Sequence, residues 1–242
     1  MALMNFSLST FRKALRCLVV IATSSSCLAL AGQNELDASE KAAGWQLLFD
    51  GANLQGWHSP GKTTFPTTNW NVQDGWLHCL GKGGGDLLSE EQFEEFELTW
   101  EWRLSVAGNS GVKYFVADAR SPLGHEYQIL DDDGHPDAKL GNGKRITASF
   151  YDVFGPQIKA PVNKPGEVNF SRVLVKGNHV EHWINKVKVL EYECGSPATL
   201  SAVQESKFKK TPNFGERLKG RILVQDHSAE VWFRNMKIRV IK

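Results

Sequence analysis

The sequence predicts an all-β protein, two antiparallel sheets packed as a sandwich or jelly roll. Three observations lead there. From Glu95 to Leu104, Phe96, Leu98, Trp100, Trp102 and Leu104 alternate with Glu95, Glu97, Thr99, Glu101 and Arg103, the period of a strand with one dry face and one wet face. Roughly ten or more short strand-like segments run along the chain with turn residues between them, the spacing of a sandwich. Helical periodicity is almost absent: Ser89 to Phe96, with Ser89 as N-cap and Gln92 at the box position, offers barely two turns.

Taken in order, Trp45-Gln46-Leu47-Leu48-Phe49 is a strand stopped by the turn Asp50-Gly51. Trp70-Asn71-Val72 and Trp76-Leu77-His78-Cys79 flank Asp74-Gly75, a hairpin signal. After the alternating segment come Gly111 to Ala117 and His125 to Leu130. Arg172 to Lys176, His179 to Ile184 and Lys186 to Glu193 follow as a meander, joined by tight turns at Gly177-Asn178 and Asn185-Lys186. Arg221 to Asp226 and Glu230 to Val240 close the chain. The connections Asp131 to Phe150 and Gly195 to Gly220 are long for such a fold, and loops of that length in a compact domain tend to carry function.

A chain of 242 residues with 28 basic and 27 acidic side chains fits one compact domain and excludes a polyanion-binding protein of the usual basic kind. It is also too rich in apolar residues for a disordered chain and too poor in cysteine for a disulfide scaffold. The first 31 residues read as a secretory signal peptide. Arg12, Lys13 and Arg16 form the basic region, an apolar stretch interrupted by Ser24-Ser25-Ser26 follows, and Ala29-Leu30-Ala31 is a small-x-small cleavage site. A lipoprotein signal ending at Cys27 is the rival, disfavoured by the serines before that cysteine and Leu28-Ala29-Leu30 after it. The apolar part is too short to span a membrane. Export places the protein in the periplasm or outside the cell. Residues 32–43 are expected to be a short linker and residues 44–242 the domain. Cys79 and Cys194 remain after cleavage, and their spacing does not decide between one disulfide and two buried thiols.

Four clusters hold residues able to do chemistry. Arg103 goes with Gly108-Asn109-Ser110-Gly111-Val112-Lys113-Tyr114, where glycines allow close approach and Lys113 faces away from Val112 and Tyr114; a solvated strand face is the alternative. His125 to Asp133 places Glu126 and Gln128 on one side of a strand, suited to sugar hydroxyls, and ends in three carboxylates. These could be a charged loop or a calcium site, though adjacent carboxylates alone are a weak metal signal. His135-Pro136-Asp137-Ala138-Lys139 with Asn142 and Arg145 gathers donors and a titratable base. Gln225 and His227 share one strand face and Ile222 and Val224 the other, and histidine is suited to proton exchange near neutral pH. There is no Gly-x-Ser-x-Gly elbow, no His-Glu-x-x-His, no phosphate loop and no dinucleotide fingerprint.

In combination these segments resemble the 3-keto-disaccharide hydrolase domain family. The resemblance is carried by Gly44-Trp45 through Phe49-Asp50-Gly51, Leu54 to Trp57, Trp70-Asn71-Val72 with Asp74-Gly75, and Asn109-Ser110-Gly111. It continues through Glu126-Tyr127-Gln128-Ile129-Leu130-Asp131, Gln225-Asp226-His227 and Phe233-Arg234-Asn235, from about Gly44 to the C-terminus. It implies a concanavalin A-like jelly roll, export by a bacterium, and action on sugars oxidised at C3. A carbonyl at C3 acidifies the hydrogen on C2, so a base can abstract it and the enolate can expel the group on C1, with water adding later. That route needs a base, a donor for the enolate oxygen and an acid for the leaving oxygen, and not the paired carboxylates of ordinary glycosidases.

On this reading His227 or Glu126 is the base, and Lys113 and Arg103 stabilise the oxyanion. Asn109, Gln128, Asp131, His135 and Gln225 bind substrate, joined by Tyr151 and Lys207 from the long loops. The partner is a small carbohydrate, with no nucleic acid and no membrane span; no cofactor is called for, and a divalent cation stays open. The alternatives are a carbohydrate-binding module using platforms such as Trp57 or Trp183, a conventional β-glucanase, and a structural or interaction protein. The β-glucanase is disfavoured because Glu126 and Asp131 are five residues apart and would point to opposite faces of a regular strand.

Overall fold

The computed structural model describes residue 1 and residues 33–241; the leader expected over residues 1–31 lies, beyond its first residue, outside that range. In chain order the first strands are β1 (Gln46–Leu47), β2 (Trp57–His58), β3 (Trp70–Gln73), β4 (Trp76–Leu80), β5 (Leu87–Phe93), β6 (Phe96–Leu104) and β7 (Asn109–Val116). They continue with β8 (His125–Leu130), β9 (Asn169–Lys176), β10 (His179–Ile184), β11 (Val187–Glu193), β12 (Gly220–Val224) and β13 (Glu230–Val240). Helix α1 (Ala38–Ala42) precedes them and α2 (Pro197–Gln204) lies in the second long connection.

The strands form two antiparallel sheets, as the alternation predicts. One runs β11-β10-β9-β6-β13-β4-β3, with β1 also on β13; the other runs β2-β5-β12-β7-β8. Strand β6 shows why they stack: Phe96, Leu98, Trp100, Trp102 and Leu104 are all buried, and Arg103, Glu101 and Thr99 face out. Removing each such side chain from water contributes about 1.5–3 kcal/mol. From the facing sheet Val112, Tyr114, Tyr127, Ile129, Ile222 and Val224 fill the same core. Glu97 alternates outward yet is also buried, because the guanidinium groups of Arg172 and Arg239 clamp it.

The turns fall where expected: Asp74-Gly75 and Asn185-Lys186 all take positive φ, the handedness a two-residue hairpin needs. Two expectations are corrected. Ser89 to Phe96 does not form a helix, since Leu87–Phe93 is strand β5. Ser89 Oγ accepts from the Ile222 amide at 3.0 Å and donates to the Glu91 carbonyl at 2.8 Å, so pairing with β12 outweighs a local capping signal. Residues 33–43 are not a linker. Asn34 and Asn235 exchange backbone-to-amide hydrogen bonds at 2.6 and 2.8 Å, and Lys237 Nζ donates to Glu40 at 2.7 Å. Helix α1, closed by the Asp37–Glu40 capping box, thereby docks on β13. Cys79 and Cys194 are both free and buried, and burial pushes each thiol up to about 12.

Candidate active site

The outer face of the smaller sheet carries the site. With Val112, Tyr114, Tyr127 and Ile129 committed to the core, alternation sends Gly111 and Lys113 of β7 and Glu126 and Gln128 of β8 to the opposite face. Register pairs Gly111 with Gln128 and Lys113 with Glu126 across the strands. Gly111 is needed for space: a Cβ there would lie 2.7 Å from Glu126 Oε1. The Gln128 amide, with its nitrogen toward Glu126, donates to Oε1 at 3.0 Å and to the Ser110 carbonyl at 3.2 Å, while its other end meets the Asn109 side chain at 3.2 Å. Lys113 Nζ stands 3.9 Å from Glu126 Oε2.

Two further segments raise walls around this floor. Beyond the end of β12, the Gln225 amide donates to the Gly111 carbonyl at 2.9 Å and the Gln225 carbonyl accepts from Ser110 Oγ at 2.8 Å. Asp226 then anchors the turn, accepting from Asn69 Nδ2 at 2.8 Å, the Gly85 amide at 2.9 Å and the Ser228 amide at 3.0 Å, which fixes His227 at the rim. On the other side the first long loop runs along β8. The amides of Ala148 and Tyr151 donate to the carbonyls of Gln128 and Glu126 at 2.9 and 3.0 Å. Ala148 and Asp152 both hold left-handed φ, 66° and 64°, an uncommon conformation for residues with a Cβ. Tyr151 donates to Asp137 Oδ2 at 2.7 Å, and Arg145 joins Asp137 at 3.0 Å to Asp152 at 2.6 Å. Asp152 also accepts from the Lys207 amide at 2.7 Å, and Lys207 Nζ sits 4.1 Å above the Tyr151 ring. The two long loops are thus tied together over the cleft.

Asn109, Glu126 and Gln128, with Tyr151, Lys207, Gln225 and His227, line an open cleft. Burial pushes the Glu126 carboxyl above the usual carboxylate range, opposed by the Lys113 and Lys207 charges. Burial lowers the Lys207 ammonium, opposed by Glu126 and Asp152. Gln225 Oε1 is buried without a hydrogen-bond partner, which leaves it free to accept from a hydroxyl. The arrangement offers one buried proton acceptor, two ammonium groups and an imidazole around a polar space.

Three expected site residues are not brought here. Arg103 projects from the outer face of the larger sheet, on the far side of the core, with its guanidinium between Trp76 and Trp232. Asp131 ties the β6–β7 turn to the loop that follows it, accepting from the amides of Ala107 at 2.8 Å and Gly134 at 3.1 Å. His135 caps the short helical turn Pro136–Lys139 through Nδ1, which accepts from the Asp137 amide at 3.1 Å. No sequence pattern marks Asp86. It accepts from the Asp226 amide at 2.9 Å, and burial pushes it up against the opposing pull of Lys113. It follows Gly83-Gly84-Gly85, where no periodicity signals which way a side chain points. Among the described residues the cluster with metal-ligand spacing is His179, Glu181 and Glu191, away from the cleft on β10 and β11. There Lys188 Nζ already bonds Glu181 at 3.2 Å and Glu191 at 2.5 Å, so the protein supplies its own cation.

A Gly111→Ala substitution should push the Glu126 carboxylate aside without disturbing the core. We expect catalytic efficiency to fall by about 100-fold, the scale of a displacement of about 1 Å in a reacting group, with the far-ultraviolet circular dichroism unchanged. Unaltered kinetics would show that Glu126 need not sit over Gly111.

The profile of the 3-keto-alpha-glucoside-1,2-lyase-like domain family matches residues 44–239. The chain belongs to this family. A 3-keto-disaccharide hydrolase of Bacteroides thetaiotaomicron is 34% identical, the match covering 90% of this chain and 85% of that protein. A proposed glycosyl hydrolase of Parabacteroides distasonis has a crystal structure that superposes with a TM-score of 0.79 at 32% identity, over 87% of this chain and all of the other. A second structure from that organism, also of a proposed glycosyl hydrolase, gives 0.65 at 25% identity over 81% of this chain. Family membership makes the chain an enzyme of glycosidic bonds rather than a module that only binds sugars.

Proposed function

We propose that this protein is exported and cleaves 3-keto-disaccharides and other 3-keto-glycosides by elimination followed by hydration. The observation that carries the reading is Glu126, a buried carboxylate of raised pKa on the cleft floor with Lys113 at 3.9 Å. Its raised basicity suits abstraction of a carbon-bound proton. The match to a 3-keto-disaccharide hydrolase supports the substrate class.

Glu126 takes the C2 proton. The C2–H electron pair forms a C2–C3 double bond, and the C3 carbonyl oxygen becomes an enolate stabilised by the Lys113 ammonium. The enolate collapses, C1=C2 forms, the C1–O bond breaks and the departing oxygen receives a proton from His227 at the rim. Water then adds its oxygen to C1 and a proton returns to C2, so the net reaction is hydrolysis. Gln128 holds Glu126 in place, while Asn109, Gln225, Tyr151 and Lys207 hold hydroxyls. The elimination needs one base rather than the paired carboxylates of ordinary glycosidases.

The test is to incubate purified protein with 3-keto-trehalose or a 3-keto-glucoside in deuterated water. Sugar release, with deuterium at C2 of the keto-sugar product and none from the plain disaccharide, is expected. Release without deuterium at C2 would reject the elimination, and cleavage of the plain disaccharide would reject the substrate class.

A further inference from the structure

The outer face of the larger sheet holds a second constructed feature that the catalytic reading does not use. Trp76 and His78 of β4, Trp232 and Arg234 of β13 and Arg103 of β6 all project there, brought side by side by the register Trp232↔His78 and Trp232↔Arg103. They stack as a ladder. The Arg234 guanidinium lies 4.2 Å from the Trp76 ring centre, Arg103 lies 5.0 Å from Trp76 and 4.8 Å from Trp232, and His78 stacks on Trp232 at 4.5 Å and 14°. With Gln73 and Asp74, the ladder residues Trp76, His78, Arg103 and Trp232 line an open pocket.

Both indoles are covered on their faces, so this is not a platform on which a pyranose ring can stack. What it leaves open is hydrogen-bonding capacity. Arg103 Nε and both ring nitrogens of His78 are buried without a partner, and His78 is 7% exposed. Buried polar atoms in folded proteins are ordinarily satisfied. Among the described residues Arg103 makes no ion pair. The neighbouring carboxylate on its strand face, Glu101, is occupied by Arg234 Nε at 2.6 Å and Asn235 Nδ2 at 3.0 Å. A guanidinium held near two indole rings, with no ion pair and its Nε unpartnered, is preorganised for planar or bidentate recognition of an oxyanion. His78 adds one donor and one acceptor beside it, suited to hydroxyls next to such a group.

We propose that this pocket is a non-catalytic site for the acidic group of a sugar, a uronate carboxylate or a sugar sulfate, gripped by Arg103 with His78 and Gln73 on neighbouring hydroxyls. It lies on the opposite outer surface of the sandwich from the cleft and therefore holds a second sugar unit rather than the one being cleaved. Asp74 at the pocket edge, and Glu230 near His78, repel an anion and keep the affinity weak, favouring repeated acidic units on a polymer over a tightly held monosaccharide.

The experiment is titration of the purified chain with glucuronate, glucose 6-sulfate and glucose, each up to about 50 mM, followed by calorimetry and by the Arg103 Nε–H and Trp indole resonances. We expect one or both acidic sugars to bind, glucose to bind at least about tenfold more weakly, and the shifts to centre on Arg103 and Trp232 rather than Tyr151. Arg103→Lys keeps charge and bulk but loses the fork, and should weaken binding about tenfold. Which acidic sugar binds identifies the source of the oxyanion. Absence of binding by both, equal binding of glucose, or shifts confined to the catalytic cleft would each overturn the proposal, and the resonance measurement on the unsubstituted protein stands even if the variant does not fold.

Discussion

Glu126→Gln is expected to lower turnover of a 3-keto-glycoside by about 100- to 10,000-fold, the range contributed by a positioned general base. Glutamine keeps the shape and can still meet the Gln128 amide and the Lys113 ammonium, but it cannot take a proton from carbon. Its effect on folding should be small. Replacing the carboxylate relieves the burial that raises its pKa, and it removes a pair with Lys113 that is long at 3.9 Å. A shift of the thermal midpoint beyond about 5 °C would mean that more than 1 kcal/mol of stability had gone. The pH profile separates this role from a positioning one. The base must be ionised, so kcat/KM should fall as pH drops through its folded pKa, and because that value is raised, the fall begins above the range of an exposed carboxylate. Full activity in the variant would move the base to His227, and an acid limb at the ordinary carboxylate position would mean that burial does not raise Glu126 in the fold.

The parts of the site visible in the sequence are those built by strand alternation. Lys113 opposite Val112 and Tyr114, and Glu126 with Gln128, follow from the period of two, and these residues reach one face in the structure. Alternation does not say which of two sheets a strand joins. Arg103 obeys the same rule on β6 as Lys113 does on β7, yet the two strands lie in different sheets and their wet faces point to opposite sides. Loops carry still less information. Asp131 and His135 have side chains that accept from amides of their own turns, as aspartate and other short polar residues often do. Tyr151 and Lys207, from two separate long loops, converge because Asp152 accepts from the Lys207 amide, a contact that no local pattern encodes. The family resemblance grouped segments that periodicity could not, and of those the structure brings Asn109, Glu126, Gln128, Gln225 and His227 to one cleft.

Beneath the cleft, the core should make the protein sensitive to acid. His125 and His182 are buried at 2% and 0% exposure and joined through two tyrosines. The Gly215 amide donates to His125 Nε2 at 3.1 Å, so Nδ1 carries the proton and donates to Tyr192 at 2.8 Å. Tyr192 donates to Tyr114 and Tyr114 to His182 Nε2, both at 2.7 Å, and His182 Nδ1 donates to the Ala148 carbonyl at 2.9 Å. Every link has a fixed direction, and the chain ends on both long loops of the site. Burial lowers His125 to about 3 and His182 to about 4. A histidine whose pKa is lower folded than unfolded is protonated first in the unfolded chain, so stability is complete above about pH 6.5 and is lost as pH falls toward the folded value. Well below 6.5 each imidazole removes about 1.4 kcal/mol per pH unit, and two together approach the whole stability of a domain, about 5–15 kcal/mol, by about pH 4. Buried carboxylates of raised pKa, such as Glu126, Asp86 and Asp132, act with the opposite sign and blunt the net slope. The decisive measurement is therefore a difference. In His182→Gln the amide can still donate to the Ala148 carbonyl and accept from Tyr114, but it does not titrate. Urea unfolding at pH 7, 5.5 and 4.5 should show the variant overtaking or closing on the natural protein as pH falls, by about 1.4 kcal/mol per unit below 6. Parallel curves at all three values would mean that His182 does not stay neutral in the fold.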